Sequence, residues 1–284
     1  MSLNYNIILP SYAKINLTLR IINKRPDGFH DLISCFYKFA SGEAIKINSN
    51  QNNNNLNSDH ITCNFNIAGE NLILKALRLS RESDINLKIP FMDIDLFKII
   101  PPGSGLGAGS GNAAAILNYI SRVYGLKNKN IPAETGADVK FLYSGFNSAI
   151  VSGIGDELEK IILPEFHGVI LIPNWNKSTG NAYNELDKIL YGNYISESDA
   201  REELKLIINN LSANKKIGLL PNDFNALLLN SRPEYYDLFK IFDANNFLAW
   251  GITGSGSSAF GIFEPDSNNK NISWPDYVNN IIYF

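Results

Sequence analysis

The chain has 284 residues, 45% of them hydrophobic, and carries a formal net charge of -3 at pH 7. This length and apolar content are those of a folded chain with one large core or two modest ones, and the length favours two domains. Because the charge is slightly negative and the basic residues are scattered, the sequence argues against nucleic-acid binding and against an anionic-membrane surface.

The N-terminal segment "MSLNYNIILPSYAKINL" has no basic region ahead of its short apolar stretch. No later segment approaches the roughly 20 apolar residues of a membrane span, and a cytoplasmic location is therefore predicted. Both cysteines, Cys35 and Cys63, lie in alternating apolar runs and are expected to be core residues in a reducing compartment. We expect a monomer or a weak homodimer.

The first predicted elements are strands. From Lys14 to Arg20 polar residues alternate with apolar ones, which predicts a half-buried strand with Lys14 and Asn16 on one face. The Pro-Asp-Gly of "RPDGFH" predicts a turn, and alternation resumes in the segments around Cys35, "EAIKIN" and "HITCNFNI". Together these predict an antiparallel N-terminal sheet. The polar tract 48–59 is expected to be a long exposed connection.

A helix, a strand and a glycine-rich loop come next. Asn71 is a good N-cap for a short helix in "NLILKALRL", and the strand-like "DIDLFKII" follows. The stretch "PPGSGLGAGSGNAAAIL", residues 101–117, holds five glycines and runs into apolar residues at helical spacing up to Tyr124. The predicted order is therefore strand, glycine loop, amphipathic helix.

The second half of the chain begins with a predicted strand in "ILPEFHGVILIP". Helical patterns follow in "AYNELDKIL", "AREELKLIINNL", "NALLLN" and "EYYDLFKIF", and a second glycine cluster, "GITGSGSSAFGIF", lies between apolar runs. We predict a domain boundary near residue 160, which divides the chain into 1–160 and 161–284.

A glycine loop at a helix N-terminus is suited to binding phosphate, because the first backbone N–H groups of a helix are unpaired and carry partial positive charge. The alternative is a tight turn that only packs the helix. A nucleotide-hydrolase P-loop would require Lys-Ser or Lys-Thr after the last glycine, and the dinucleotide fingerprint requires a different glycine spacing. Neither pattern is present.

Four motifs in order resemble the GHMP kinases. They are "SYAKINLTLRIINKRPDGFHDL", "PPGSGLGAGSGNAA", "GADVKFLYSG" with the following "GIGDELEKI", and "GITGSGSSAFGIF", which together span Tyr12 to Phe263. The first motif resembles one branch of this superfamily, whose acceptor is a cytidine-diphosphate-linked sugar alcohol of non-mevalonate isoprenoid synthesis. The resemblance implies a two-domain α/β (α+β) fold, with a ribosomal-protein-like N-terminal domain and a ferredoxin-like C-terminal domain.

The resemblance assigns catalysis to Lys14 and Asp138. Phosphoryl transfer needs positioning and charge neutralisation: a carboxylate can orient the acceptor hydroxyl and take its proton, and an ammonium can stabilise charge on the transferring group. The alternatives are a solvated strand lysine and a helix cap. An apolar run follows Asp138, so its carboxylate is expected to be half-buried and to need a cation, for which Lys14 is the predicted partner.

The resemblance also implies a substrate site that clamps cytidine between Phe29 and Tyr183, with His30 reading the base. Stacking of a base on an aromatic face contributes about 1 to 3 kcal/mol. Phe29 replaces the tyrosine usual in the family, which keeps stacking and loses a hydroxyl. Asn16 and Thr179 are further predicted substrate contacts.

The implied cofactors are ATP and Mg²⁺. Asn71 and Lys98 are assigned to the adenine, although Asn71 is equally explained as a helix cap. Ser104 and Ser110 are the predicted hydroxyl donors, the metal ligands are unknown with Ser110 a candidate, and Gly254 to Ser257 are expected to buttress the loop. The residues assigned to the triphosphate are Pro101, Gly103, Ser104, Gly105, Leu106, Gly107, Ala108, Gly109, Ser110, Gly111 and Asn112.

Two departures from the family pattern and two alternative functions are left open. Gly111 replaces a common serine, which removes a hydroxyl and predicts a freer loop, and residues 127–135 are shorter than the helical segment usual before Asp138. One alternative is another GHMP kinase, of the homoserine or mevalonate type. The other is a catalytically silent nucleotide-binding protein on the same fold.

Overall fold

The computed structural model describes residues 6–48, 57–67, 69–176, 179–264 and 271–284. Its contacts group into two compact units, each described separately below. The described residues within 1–13, 40–102 and 107–145 form the first unit, and those within 14–39, 103–106 and 146–284 form the second. Most of the polar tract 48–59, predicted to be an exposed connection, lies outside the described residues.

The first unit combines strands with four helices. Strands β1 (Ile7–Lys24) and β2 (His30–Asn48) contribute residues 7–13 and 40–48 to it. The remaining elements are β3 (His60–Cys63), α1 (Leu72–Ser83), β4 (Asp93–Phe97), α2 (Ala108–Tyr124), α3 (Ile131–Thr135) and α4 (Ala137–Tyr143). β4 pairs antiparallel with β2 and parallel with β3. The predicted antiparallel pairing is therefore wrong for β3, because α1 crosses over between β3 and β4 and returns the chain in the same direction.

The core of the first unit lies between its helices and its strands. Helix α2 packs against α1 and α4. The predicted helical face of α2 is confirmed, since Ala113, Ile116, Leu117 and Ile120 are all fully buried. No helix in the described ranges is both long and apolar enough to cross a membrane.

The second unit holds the remaining strands and helices. It includes residues 14–24 of β1 and residues 30–39 of β2. Its further strands are β5 (Ser148–Ser152), β6 (Glu157–Ile161), β7 (His167–Pro173), β8 (Gly218–Leu219), β9 (Ala249–Ile252), β10 (Ala259–Phe263) and β11 (Val278–Tyr283). Its helices are α5 (Thr179–Leu190), α6 (Glu197–Ser212), α7 (Asn225–Ser231) and α8 (Glu234–Ala244). One sheet has the order β11-β7-β10-β9-β8, and β5 pairs antiparallel with β2 and β6. All four helices predicted in this half are confirmed, and β11 was not predicted.

Burial differs from the prediction at three polar positions of β1. Lys14, Asn16 and Thr18 are only 5%, 3% and 3% exposed, so this part of the strand is buried on both faces. The prediction of a half-buried strand is wrong here because the side chains of Lys14 and Asn16 find protein partners instead of water. Cys35 is fully buried as predicted, and burial raises its thiol pKa to about 12, whereas Cys63 is only partly buried.

Gly111 is required by packing in the first unit. It lies inside helix α2, where its N–H donates to the carbonyl of Gly107 at 3.0 Å. A Cβ added at this position would overlap the carbonyl oxygen of Tyr12, and it would lie 3.1 Å from the Ser11 hydroxyl. The predicted freer loop is therefore wrong: the missing side chain lets the helix approach the β1 backbone.

Substitution of Gly111 by alanine or serine is expected to lower the free energy of unfolding by about 3 kcal/mol or more, because the overlap is with backbone and cannot be relieved by a rotamer change. Gly109→Ala is the matched control. Gly109 lies in the same helix with nothing within 4 Å of its added Cβ. We expect this change to stabilise by roughly 0.5 to 1 kcal/mol. Urea denaturation of the three variants measures both effects, and equal stability of the two alanine variants would contradict the packing argument.

Candidate active site

Lys14 is buried in the second unit beside the glycine loop. Its Nζ donates to Asn16 Oδ1 at 2.7 Å and to the carbonyl of Gly105 at 3.4 Å, and it lies 4.6 Å from the centre of the Phe36 ring. Its backbone N–H donates to Leu106 O at 2.9 Å. Both the strand backbone and the lysine side chain are therefore fixed to residues 105–106.

Asn16 is the polar centre of this arrangement. Its backbone N–H donates to Thr253 Oγ1 at 2.9 Å, and its Nδ2 donates to Ser34 Oγ at 2.9 Å. Its Oδ1 accepts from Lys14 Nζ and from the Thr253 hydroxyl. These contacts fix the orientation of the amide, since Oδ1 faces donors and Nδ2 faces an acceptor.

The turn 253–258 lies directly against the glycine loop, as predicted for a buttress. The N–H of Ser258 donates to Ser104 O at 3.1 Å. Gly105 has φ +82°, and a Cβ there would lie 2.6 Å from the carbonyl oxygen of Thr253 and 2.7 Å from that of Gly256. Gly105 is therefore required by both its backbone conformation and the close approach. The predicted contact residue Thr179 is exposed, and its hydroxyl pairs with Ser255 Oγ at 3.2 Å.

Of the three residues predicted to recognise the base, two are in contact with each other. The rings of His30 and Tyr183 stack with centroids 4.9 Å apart. His30 Nε2 lies 2.6 Å from Asp187 Oδ1, and Lys24 Nζ donates to Asp187 Oδ2 at 2.6 Å. Phe29 is 58% exposed at the predicted turn, and its ring contacts no other ring among the described residues.

In the first unit, helix α2 begins at the predicted loop. Gly107 is its N-cap with φ 64°, and no side chain caps the helix. The first turn of α2 includes Ala108, Gly109 and Ser110. Its backbone N–H groups are not paired within the helix, and the helix dipole adds partial positive charge there, so this turn is suited to binding an anion. Ser110 is half-buried in this turn.

Asp138 is half-buried in the first turn of α4. The short segment before it contains the five-residue helix α3, which ends at Gly136, where α4 begins. The shortened sequence therefore still places a helical turn ahead of Asp138. Asp138 belongs to the first unit and Lys14 to the second.

Lys98 is held in a buried ion pair. Both carboxylate oxygens of Glu43 lie 3.0 Å from Lys98 Nζ, and both side chains are almost completely buried. Glu43 also accepts from the N–H of Ile100 and from Asn112 Nδ2, each at 2.9 Å. The buried Asn112 Oδ1 has no hydrogen-bond partner among the described residues. The observed partner of the Lys98 ammonium is thus a carboxylate.

Asn71 caps helix α1 by accepting from the N–H of Ile73 at 2.9 Å, which is the structural alternative predicted for it. In the part of the chain that the structure describes, no group of three or more His, Cys, Asp or Glu could hold a metal ion.

Sequence reasoning missed Glu43, Asp187 and Thr253 as site residues. Glu43 stands in an alternating strand, where a glutamate is usually solvated, and its partner Lys98 is 55 residues away. Asp187 did carry a signal, because it follows Tyr183 by four residues and therefore shares its helix face.

Two family models match the chain. The model of the GHMP kinases N terminal domain matches residues 71–156, and that of the GHMP kinases C terminal domain matches residues 200–273. A Thermotoga maritima protein named 4-diphosphocytidyl-2-C-methyl-D-erythritol kinase is 32% identical over 270 residues, which cover 92% of this chain and 93% of the relative.

Solved structures agree with the sequence matches. A crystal structure of 4-(cytidine 5'-diphospho)-2C-methyl-D-erythritol kinase superposes with a TM-score of 0.72 at 25% identity, covering 91% of this chain and 90% of that one. A homoserine kinase from Cytophaga hutchinsonii gives a TM-score of 0.57 at 18% identity, covering 92% and 86%. At that identity the second match shows the fold alone.

Glu43→Gln is expected to lower the free energy of unfolding by about 3 to 5 kcal/mol, because it leaves the Lys98 ammonium buried without a counter-charge. The double variant Glu43→Gln/Lys98→Met removes that charge and is expected to be more stable than Glu43→Gln alone. Lys216→Ala, which breaks an exposed pair with Asp243, is the control and should cost less than about 1 kcal/mol. Chemical denaturation of these variants and of the single variant Lys98→Met gives the values, and a double variant as unstable as the sum of its two single changes would contradict the coupling.

Proposed function

Because the chain belongs to the GHMP kinases, and within them to the 4-diphosphocytidyl-2-C-methyl-D-erythritol kinases, we propose that it transfers the γ-phosphate of ATP to the 2-hydroxyl of 4-(cytidine 5'-diphospho)-2-C-methyl-D-erythritol. The resemblance predicted from the four motifs and the mixed two-domain α/β fold are confirmed. The chain is an ATP-dependent kinase, and this activity serves isoprenoid precursor synthesis.

The observation that carries the proposal is the buried ammonium of Lys14 against the glycine loop. Its Nζ donates to Asn16 Oδ1 at 2.7 Å and to Gly105 O at 3.4 Å, and these contacts fix the ammonium beside the loop. An ammonium held in this way can stabilise the negative charge that spreads over a transferring phosphoryl group. We assign Lys14 this role.

Asp138 is the proposed base. The acceptor oxygen attacks the γ-phosphorus, the bond from that phosphorus to the β,γ-bridging oxygen breaks, and ADP leaves with the electron pair. The hydroxyl proton passes to the Asp138 carboxylate. The half-burial of Asp138 at a helix start supports this assignment, because it limits the positions that the carboxylate can take.

The proposed triphosphate site comprises residues 101–112. The uncapped N-terminus of α2 and the positive φ angles of Gly103, Gly105 and Gly107 support it. The adenine contacts of Asn71 and Lys98 stay predictions, because the contacts observed for them are a helix cap and an ion pair. Asn112 likewise has a structural contact through Glu43.

Mg²⁺ is proposed to accompany ATP and to neutralise its β and γ oxygens. Since the described residues contain no carboxylate cluster for a metal, the phosphates are the main proposed ligands. The Ser110 hydroxyl, half-buried in the first turn of α2, is the protein group suited to complete them.

The proposed cytidine site comprises Phe29, His30 and Tyr183, with Asn16 and Thr179 as further substrate contacts. The stacked pair His30–Tyr183 supports an aromatic surface for a base, and the exposed Phe29 ring is available as a second face. The division of the chain at residue 160, the cytoplasmic location and the monomer or weak homodimer stay predictions.

The substrate is tested by ADP release from ATP and Mg²⁺ with three separate acceptors: the cytidine-diphosphate-linked methylerythritol, mevalonate and homoserine. Turnover with the first alone is expected. Turnover with mevalonate or homoserine would favour the alternative kinases, and no turnover with any acceptor would favour a silent nucleotide-binding protein.

Lys14→Met and Asp138→Asn are each expected to lower kcat by about 10² to 10⁴, the range that positioned charge and proton transfer contribute. Lys240→Ala is the control, because the Lys240 side chain is 78% exposed and pairs only across a helix surface with Asp237. It should leave kcat unchanged. Circular dichroism checks that the fold is intact, and near-normal kcat in a folded Lys14→Met or Asp138→Asn protein would refute that residue's role.

A further inference from the structure

Helix α5 presents two residues to His30 from one face. Tyr183 and Asp187 are four residues apart, which places their side chains one helical turn from each other. Tyr183 stacks on the imidazole ring at 4.9 Å, and Asp187 Oδ1 lies 2.6 Å from its Nε2. The His30 side chain is only 6% exposed. The stacking contact fixes the plane of its ring, and the contact with Asp187 fixes the direction of Nε2.

Asp187 is an ionised acceptor. Burial opposes its ionisation, but hydrogen bonds from Lys24 and His30 outweigh that effect and hold the pKa of Asp187 below its ordinary value. An ionised carboxylate has no proton to donate. The hydrogen bond at 2.6 Å therefore requires the proton to be on His30 Nε2.

We propose that Asp187 is a positioning residue that holds His30 as its Nε2–H tautomer, so that Nδ1 offers a lone pair to the base of the substrate. This inference rests on the proposed function, because it concerns the base that the site selects. A neutral imidazole with one protonated nitrogen has an acceptor at the other.

An acceptor at Nδ1 distinguishes the two common pyrimidines. Cytosine carries an amino donor at C4, whereas uracil carries a carbonyl acceptor at the same position. The Nδ1 lone pair therefore bonds the cytosine amino group and meets an unmatched acceptor in uracil. Asp187 thereby sets the preference for a cytidine nucleotide over a uridine nucleotide without touching the base.

The tautomer is read directly by nitrogen-15 NMR of the ligand-free protein. The chain has only three histidines, His30, His60 and His167, so a His30→Gln variant assigns the His30 signals. At pH 8 we expect a proton on Nε2 and none on Nδ1. A proton on Nδ1, alone or together with one on Nε2, would overturn the proposal.

Selectivity is measured by calorimetric binding of CMP and UMP. Wild type is expected to prefer CMP, and Asp187→Ala to reduce the CMP-to-UMP affinity ratio about tenfold, the change expected for one hydrogen bond. Lys24→Ala is the matched control, because it removes the other partner of Asp187 and keeps the bond to His30. It should keep the ratio.

Two results would overturn the role of Asp187. An equal loss of CMP and UMP affinity in Asp187→Ala would show a structural role only, and an equal fall of the ratio in Lys24→Ala would show that charge sets selectivity. Neither measurement needs turnover. A protein that selects CMP but does not phosphorylate the proposed acceptor would refute the proposed function and leave this inference standing.

Discussion

The close approach of three backbone segments is the constraint on which the second unit depends. These segments are strand β1, the loop 103–106 and the turn 253–258, and the turn lies so near the loop that Gly105 has no room for a side chain. Hydrogen bonds join the strand to the loop and the loop to the turn. Because these contacts join backbone atoms, a shift of one segment moves the segments that are bonded to it. The Lys14 ammonium takes its position from this arrangement.

The far end of β1 is anchored by charge. Arg20 donates to both carboxylate oxygens of Glu203 and to Asp223, and these acidic partners raise its pKa despite partial burial. The second oxygen of Asp223 accepts from the N–H of Ile21. A forked guanidinium holds two carboxylates in fixed directions, which a single ammonium does not. The strand that carries Lys14 is therefore fixed both at Lys14 and further along, at Arg20 and Ile21.

How much the sequence could predict depends on the separation of the interacting residues. The Asn71 cap was predictable because its partner Ile73 is two residues away, and the face of α2 was predictable because the period of its apolar residues lies within the helix itself. The double-sided burial of β1 was not, because Asn16 finds Thr253 237 residues away. An alternating pattern is the same whether its polar face meets water or buried partners. The parallel pairing of β3 and the strand β11 were missed for the same reason, since both depend on distant segments.

The two buried lysines show that a sequence motif alone does not tell whether a lysine serves the reaction or the packing of the fold. Lys14 and Lys98 are almost equally buried, at 5% and 4% exposure, and each lies in or next to one of the family motifs. Lys98 meets the fully buried carboxylate of Glu43, which largely cancels its field at a distance. Lys14 donates to the amide oxygen of Asn16 and to the backbone carbonyl of Gly105 in the second unit. The Glu43 carboxylate therefore makes Lys98 part of the scaffold of the first unit, and because that partner lies 55 residues away the letters around Lys98 do not reveal it.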